Sequence, residues 1–373
     1  MGIAAGLQGT ALAFLIERFG IAPDQGGIFI TLFTVGTTTG TYFIGRLLDR
    51  VNARAVAWLG LFLLGVGALI VSAATTSGWA LLAMTLYGFG FGAMLVCGNV
   101  LVVRMSAPNS SPALNALSVC FAIGGILGPE ITTAILVRAD VATAYILFAA
   151  AAFLMLPLMF VVNIMPPAPF SHADGVDTRI PMTPVLLFAA FFMVYTGAEI
   201  GFTSWIYTQM YNVAGLPVQE AARAVSLFWI GMLIGRLIGI PLTQRVRDEH
   251  ILIGASALLS LTVALLLVFA TNPLISMISV AMFGLFAGPI FSSALAMVGR
   301  RFPYAAGRLS GTLLAMGNIG VGTLPFIQGQ VGRGVDGGFI ITLIAGIGLV
   351  GLAMLLARDS RLAGLNRLES TSV

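Results

Sequence analysis

The stretch Gly45-Arg46-Leu47-Leu48-Asp49-Arg50-Val51-Asn52-Ala53-Arg54 is a charged island in an apolar sequence. Three arginines and one aspartate fall within ten residues. From Gly26 to Ile44 before it, and from Ala55 to Val103 after it, there is no charge at all. Such an island reads as a tight turn at a membrane face. Taken alone, its arginines need only set topology. The spacing adds more. Gly45 permits a sharp turn or a close helix approach. Asp49, four residues on, can pair with an arginine or sit at the positive end of a neighbouring helix.

Composition extends that reading to the whole chain. The 373 residues are 58% hydrophobic and only 9% charged, with a mean hydropathy of +1.02. A soluble surface would need more charge. The formal charge is +4, all basic residues being arginine. Because these arginines lie between apolar segments, they do not form a nucleic-acid footprint. Cys97 and Cys120 fall inside apolar segments and suggest neither a disulfide framework nor a metal site. Of the two histidines, His172 is expected in a connecting loop and His250 at the edge of one.

Twelve apolar segments reach or approach the roughly 20 residues needed to cross a bilayer. They are 1–19, 26–45, 55–74, 79–104, 113–137, 142–164, 183–212, 219–243, 250–270, 274–299, 306–328 and 338–357. The first is the weakest, since Glu17 and Arg18 come early, and the native start could lie upstream of Met1. The expected fold is all-α, with twelve membrane helices in two pseudo-symmetric six-helix bundles. Arginine bias sets the orientation. Thirteen arginines fall on the side holding both termini, four on the other, and Arg236 is left inside a span. The richer side is expected to be cytoplasmic.

The segment Met165–Met182, rich in proline and polar residues, is expected to be a cytoplasmic linker. It divides an N-terminal bundle, 1–164, from a C-terminal bundle, 183–358, with a cytoplasmic tail at 359–373. The halves also repeat. Gly45-Arg46-Leu47 recurs as Gly235-Arg236-Leu237, an offset of 190. Gly88 and Gly92 recur as Gly284 and Gly288, and Gly124 and Pro129 as Gly320 and Pro325, both at 196. Paired halves are the layout of transporters that rock about a central site.

These features carry a resemblance to the major facilitator superfamily. Gly45, Asp49, Arg50 and Arg54 match the pattern of its loop between helices two and three, although the usual second glycine is replaced, with Asn52 nearby. The stretch Ala122–Pro129, AIGGILGP, resembles the glycine–proline signature some members carry in helix five. Tyr195–Trp205, Ile234–Gly239 and Phe283–Phe291 resemble the second half of the fucose–glucose–galactose symporter group, and Gly98–Leu101 resembles its asparagine-bearing stretch in helix four. The resemblance implies a secondary transporter of a small polar solute, a sugar foremost. It implies a multi-pass protein of the plasma (inner) membrane, with a proton or sodium as candidate coupling ion and a monomer as the unit. Two membrane acids of the proton-coupled fucose carriers are missing; Gly9 and Leu95 stand at their places. Coupling therefore falls to another acid, another ion or no ion.

An ionisable side chain inside a bilayer must face a cavity or a partner. Glu199 reads either as a carboxylate joining two helices or as a solute or proton site. Tyr195, Phe202, Thr203 and Ile206 share its helical face, with Gln209 at the edge, which would offer a polyol hydrogen bonds and a flat apolar surface. Glu130, after Gly128-Pro129, reads as an acid near the outer face or a second coupling candidate. Arg236 is expected to reach toward the cytoplasm, cap a helix C-terminus or join Gly45, Asp49, Arg50 and Arg54 in gating. Gln8, Asn99, Asn115 and Asn318 are amides in apolar stretches; each must bond a neighbouring helix or face the cavity. Gln8, Asn99 and Asn318 join the candidate solute site. No phosphate loop, nucleophile elbow or metal-ligand cluster is present, so no enzyme or cofactor is expected. The alternatives are an efflux carrier for amphipathic compounds and a non-transporting membrane sensor.

Overall fold

The computed structural model describes residues 1–20, 27–107, 109–161, 180–331 and 335–371. Among them, every regular element is helical. The α-helices are α1 Gly2–Phe19, α2 Gly27–Leu47, α3 Ala53–Ala73, α4 Ser77–Met105, α5 Ser110–Leu136, α6 Val141–Met155, α7 Leu158–Val161, α8 Met182–Asn212, α9 Val218–Arg245, α10 Asp248–Val268, α11 Pro273–Arg301, α12 Ala306–Val331 and α13 Val335–Thr371. Ten are long and apolar enough to cross a membrane. The exceptions among the twelve expected spans are α1, whose end carries Glu17 and Arg18, and α6. The sixth span breaks after 15 residues; Pro157, which lacks an N–H, separates α6 from α7. Within the expected tail, α13 continues through Thr371. Most of the expected linker, residues 165–179, lies outside the described residues.

Local chemistry fixes several helix ends. Gly20 closes α1 in the left-handed conformation at φ 60°, its N–H returning to the Glu17 and Ile16 carbonyls. Asn52 caps α3 by accepting from the Arg54 N–H at 2.9 Å, and Asp140 caps α6 through the Thr143 N–H at 2.7 Å.

The repeat is visible in how helices touch. A Cβ at Gly36 or Gly40 would lie 2.0 or 2.3 Å from the Thr85 or Phe89 carbonyl, so α2 and α4 meet backbone to backbone. In the second half, a Cβ at Gly231 or Gly235 would lie 2.1 or 2.0 Å from the Ala281 or Leu285 carbonyl, so α9 and α11 also meet backbone to backbone. Without water to drive helices together, such close packing supplies the association energy. The pairs differ by 195 or 196 residues, as do Gly88/Gly284 and Gly92/Gly288. The Gly45-Arg46-Leu47 match at 190 is therefore not structural. Arg46 ends α2, whereas Arg236 lies deep within α9.

Contacts divide the chain into two compact units. One comprises Met1–Met105, Val119–Thr178 and Phe302–Ala315; the other comprises Ser106–Ser118, Arg179–Arg301 and Met316–Val373. The first unit is cored by Leu7, Leu15, Phe29, Leu64, Tyr87 and Tyr145. In the second, Phe202 stacks on Phe283 at 3.7 Å and meets Phe339 edge-on. Large apolar side chains such as Trp79, Leu82 and Phe326 are more than 60% exposed, as lipid-facing positions are. In each unit the opening turns of one helix belong apart from the rest of that helix: those of α12 in the first, those of α5 in the second.

Candidate functional site

The Asp49 carboxylate explains the first of these groupings. It lies in the turn after α2, its side chain 16% exposed. One oxygen accepts from the Gly307 N–H at 2.9 Å, the other from the Arg308 N–H at 2.7 Å. These are free amides of the first turn of α12, where the helix dipole also favours a negative charge. Arg104, at the end of α4, donates to Asp49 at 2.7 Å and to the Leu48 carbonyl at 3.1 Å. Gly45 is required here, since a Cβ would lie 2.6 Å from the Gly307 carbonyl and 2.7 Å from the Gly311 Cα. Burial pushes the Asp49 carboxyl above its usual range, against the pull of the Arg308 and Gly307 amides and of Arg104. Of the other arginines in the motif, Arg50 is exposed and Arg54 half-buried. Arg46 lies over the Tyr42 ring at 3.5 Å.

A second carboxylate does the matching work for α5, and sequence reasoning missed it. Asp248, the first residue of α10, accepts from the Ser111 hydroxyl at 2.7 Å and pairs with Arg300 at the end of α11. Arg300 also donates to the Ser111 hydroxyl at 3.2 Å. Ser111 and Gly307 are each the second residue of their helix, 196 apart; so are Arg104 and Arg300. Asp49 itself has no acidic counterpart, because Gln244 stands 195 residues on. The shared offset of Arg104 and Arg300 was the available signal.

The membrane-embedded candidates are placed as follows. Glu199 is half-buried on α8. Thr203 donates to the Glu199 backbone carbonyl at 2.7 Å. Tyr195 is buried and its hydroxyl donates to the Ala287 carbonyl at 2.9 Å. Phe202 and Ile206 are wholly buried, and Gln209 donates to the Ala270 carbonyl at 3.3 Å. The face expected to meet a polyol thus packs, apart from Glu199 and Thr203, on other helices in this conformation. Arg236 does not reach a helix end. Its Nη1 donates to the Ser118 carbonyl, inside α5, at 3.2 Å, and its buried Nε has no protein partner.

The amides divide. Asn99 is buried and returns its NH2 to the Leu95 carbonyl at 2.8 Å. Asn115 does the same to Ser111 at 3.1 Å. Asn318 is half-buried, and its Nδ2 has no protein partner. It follows Gly317, whose carbonyl accepts from Thr196 of α8 at 2.7 Å. Glu130 is exposed on α5. Gln8 lies on α1, its side chain outside the described residues.

Known proteins match this arrangement over most of the chain. A glucose/galactose transporter of Brucella abortus biovar 1 (strain 9-941) is 27% identical over 341 residues, covering 82% of this chain and 80% of that protein. The sodium-dependent glucose transporter 1A of Mus musculus is 19% identical over 336 residues, covering 80% and 79%. The crystal structure of FucP in the outward conformation superposes with a TM-score of 0.78 at 16% identity, covering 95% of both chains. A variant of the E. coli fucose:proton symporter FucP gives 0.75 at 16%, covering 95% of this chain and 96% of that one. That identity speaks for the fold alone. The family model described as Major Facilitator Superfamily matches residues 1–247. With its helices, repeat and clasped helix ends, the chain belongs to the Major Facilitator Superfamily, a family of transporters and not of enzymes.

Proposed function

We propose that this transporter carries a small sugar, of the hexose class, by alternating access. The observation that carries the reading is the 27% identity with a glucose/galactose transporter along 82% of this chain and 80% of that one. The missing fucose-carrier acids, replaced by Gly9 and Leu95, leave solute recognition to other polar groups. Glu199, Thr203 and Asn318 are the assigned ones. Asn318 has an uncommitted donor, and a sugar hydroxyl would supply its acceptor. The Asp49 clasp is assigned to conformational control. The arginine bias supports a plasma (inner) membrane location with cytoplasmic termini, and a monomer with halves 1–164 and 183–358 is the proposed unit.

The test is uptake of labelled glucose, galactose and fucose into proteoliposomes, with an amphipathic dye as a control. Saturable sugar uptake, competed by unlabelled sugar, supports the reading. Transport of the dye with no sugar uptake would favour an exporter. The glycine–proline stretch Ala122–Pro129 has a structural use, since Gly124 packs against the Gly2 and Ile3 backbone of α1.

A further inference from the structure

We propose that the cleft where α3 turns into α4, with Arg18 of α1 at its rim, binds one anionic phospholipid. The acyl chain lies on the apolar wall of the cleft and the phosphate meets the guanidinium. Three observations carry this. First, the cleft measures about 420 Å³ and is lined by Leu69, Ile70, Ala73, Ala74, Thr75 and Trp79. Second, the lining is apolar yet open. Leu69 is 39% and Trp79 61% exposed, and Ala73 and Thr75 are exposed as well. Third, Arg18 reaches the same turn. Its Nη2 donates to the Ser72 carbonyl at 2.8 Å and to the Ala74 carbonyl at 3.1 Å, and Ala74 is itself part of the lining. The apolar wall therefore ends at a positive charge held in place.

Chemistry narrows the occupant. The last carbonyls of a helix lack internal partners and sit at the negative end of its dipole, which explains why an arginine answers them. Both bonds come from one nitrogen, whereas a guanidinium has five N–H groups in a flat fork. Arg18 is exposed. Among the described residues, the ion pairs belong to Arg104, Arg247, Arg300 and Arg301, not to Arg18. A phosphate supplies the paired acceptors that such a fork takes. Position agrees with this. The 21 residues of α3 start just after the Asp49 turn and rise about 30 Å, the thickness of a bilayer core. The cleft thus lies at the opposite membrane face. Trp79, the third residue of α4, is of the type that marks the boundary between lipid tails and headgroups. Basic groups beside apolar clefts at that level recognise lipid headgroups. A zwitterionic headgroup brings its own ammonium to its phosphate. Arg18 has no paired acid, so an anionic lipid is the one whose charge it completes.

The experiment uses the full chain in detergent. It is titrated with phosphatidylglycerol and, separately, with phosphatidylcholine of the same acyl chains. Bound lipid is read by native mass spectrometry and stability by Tm. Phosphatidylglycerol should bind about tenfold more tightly than phosphatidylcholine, the worth of one charge-assisted hydrogen bond, and should raise Tm as it saturates. Arg18→Gln should erase that preference and leave phosphatidylcholine binding unchanged. Because Arg18 also holds the end of α3, Ala73→Trp gives a second test. It keeps the arginine, fills the cleft and should lose the bound phosphatidylglycerol. Glycerol phosphate, a headgroup without a chain, should leave Tm where it is. Equal binding of the two lipids by the parent overturns the proposal, as does phosphatidylglycerol binding by Ala73→Trp equal to the parent. A rise in Tm with glycerol phosphate as large as with the lipid also overturns it, because the apolar wall would then contribute nothing.

Discussion

The Asp49 and Asp248 clasps do the same job with different atoms. Asp49 holds α12 by two backbone amides and keeps Arg104 as a side partner. Asp248 holds α5 through a hydroxyl, and Arg300 touches both the acid and that hydroxyl. The cause lies in the turns. Between α2 and α3 there is room for a free aspartate and a separate cap, Asn52. Between α9 and α10 only Val246 and Arg247 intervene, so the acid comes from the first residue of the next helix. A clasp on amides depends on one side chain from the turn and on no side chain of α12. A clasp on a hydroxyl can be dismantled from either end.

The largest effect is expected at Asp248. Its side chain is 4% exposed, and Asp248→Ala would strand Ser111 and leave Arg300 with little compensation. Removing one member of such a buried charged network costs roughly 2–4 kcal/mol. Thermal unfolding in detergent should show a clear drop in Tm. A cysteine placed near the start of α5 should become more reactive. An unchanged Tm and an unchanged cysteine would mean that Asp248 clasps nothing in solution.

Next comes Asp49. Asp49→Ala leaves two amides unmet and Arg104 with the Leu48 carbonyl in place of a carboxylate, about 1–3 kcal/mol, enough to shift a two-state balance by tenfold or more. Asp49→Asn should cost less, because it keeps one acceptor and buries no charge. The pH dependence follows from the raised carboxyl. A group whose pKa is higher in the clasped state takes up a proton on clasping. Clasping is therefore favoured as pH falls through that raised value toward the ordinary carboxyl range, and the gain is lost as pH rises through it again. Cysteine accessibility beside Gly307 should fall in mild acid in the parent and stay flat in Asp49→Asn. The reverse trend in the parent would show that ionised Asp49, not its burial, dominates.

Much of this was legible in the sequence, for physical reasons. Long apolar runs must become helices in a bilayer, because each backbone amide needs an internal partner. The island from Gly45 to Arg54 announced its acid because the flanks hold no charge. The second clasp was hidden, since Ser111, Asp248 and Arg300 stand up to 189 residues apart, each an ordinary residue near a helix end. Counting Arg300 toward topology accounted for its charge without asking what it touches. The Gly235-Arg236-Leu237 match misled because a three-residue identity outweighed register; the glycine contacts make Gly235 the counterpart of Gly40 in the repeat. Tyr195 and Gln209 were placed on the right helical face, but helical spacing cannot tell a packed face from a wet one.

Ser111→Ala tests the hydroxyl end of the second clasp. It removes one neutral donor and leaves the Asp248–Arg300 pair in place. The loss should be about 1 kcal/mol, well below that of Asp248→Ala. Combined with Asp248→Ala, it should add little, because the two changes break the same bond. Additive losses in Tm would separate Ser111 from the clasp.

The smallest effect is expected at Asn52, and it bears on why the turns differ. Asn52 caps α3 with its side chain, whereas Arg247, at the cap position before α10, makes no side-chain cap. Asn52→Ala should cost about 0.5–1 kcal/mol, the lower range for an exposed cap. Asp49 sits on the other side of the turn, bound to α12, so its clasp should survive. The expected outcome is a slight fall in Tm with sugar counterflow and cysteine accessibility near Gly307 unchanged. If accessibility changes as much as in Asp49→Ala, cap and clasp act as one unit, and the separation of duties between the two turns is wrong.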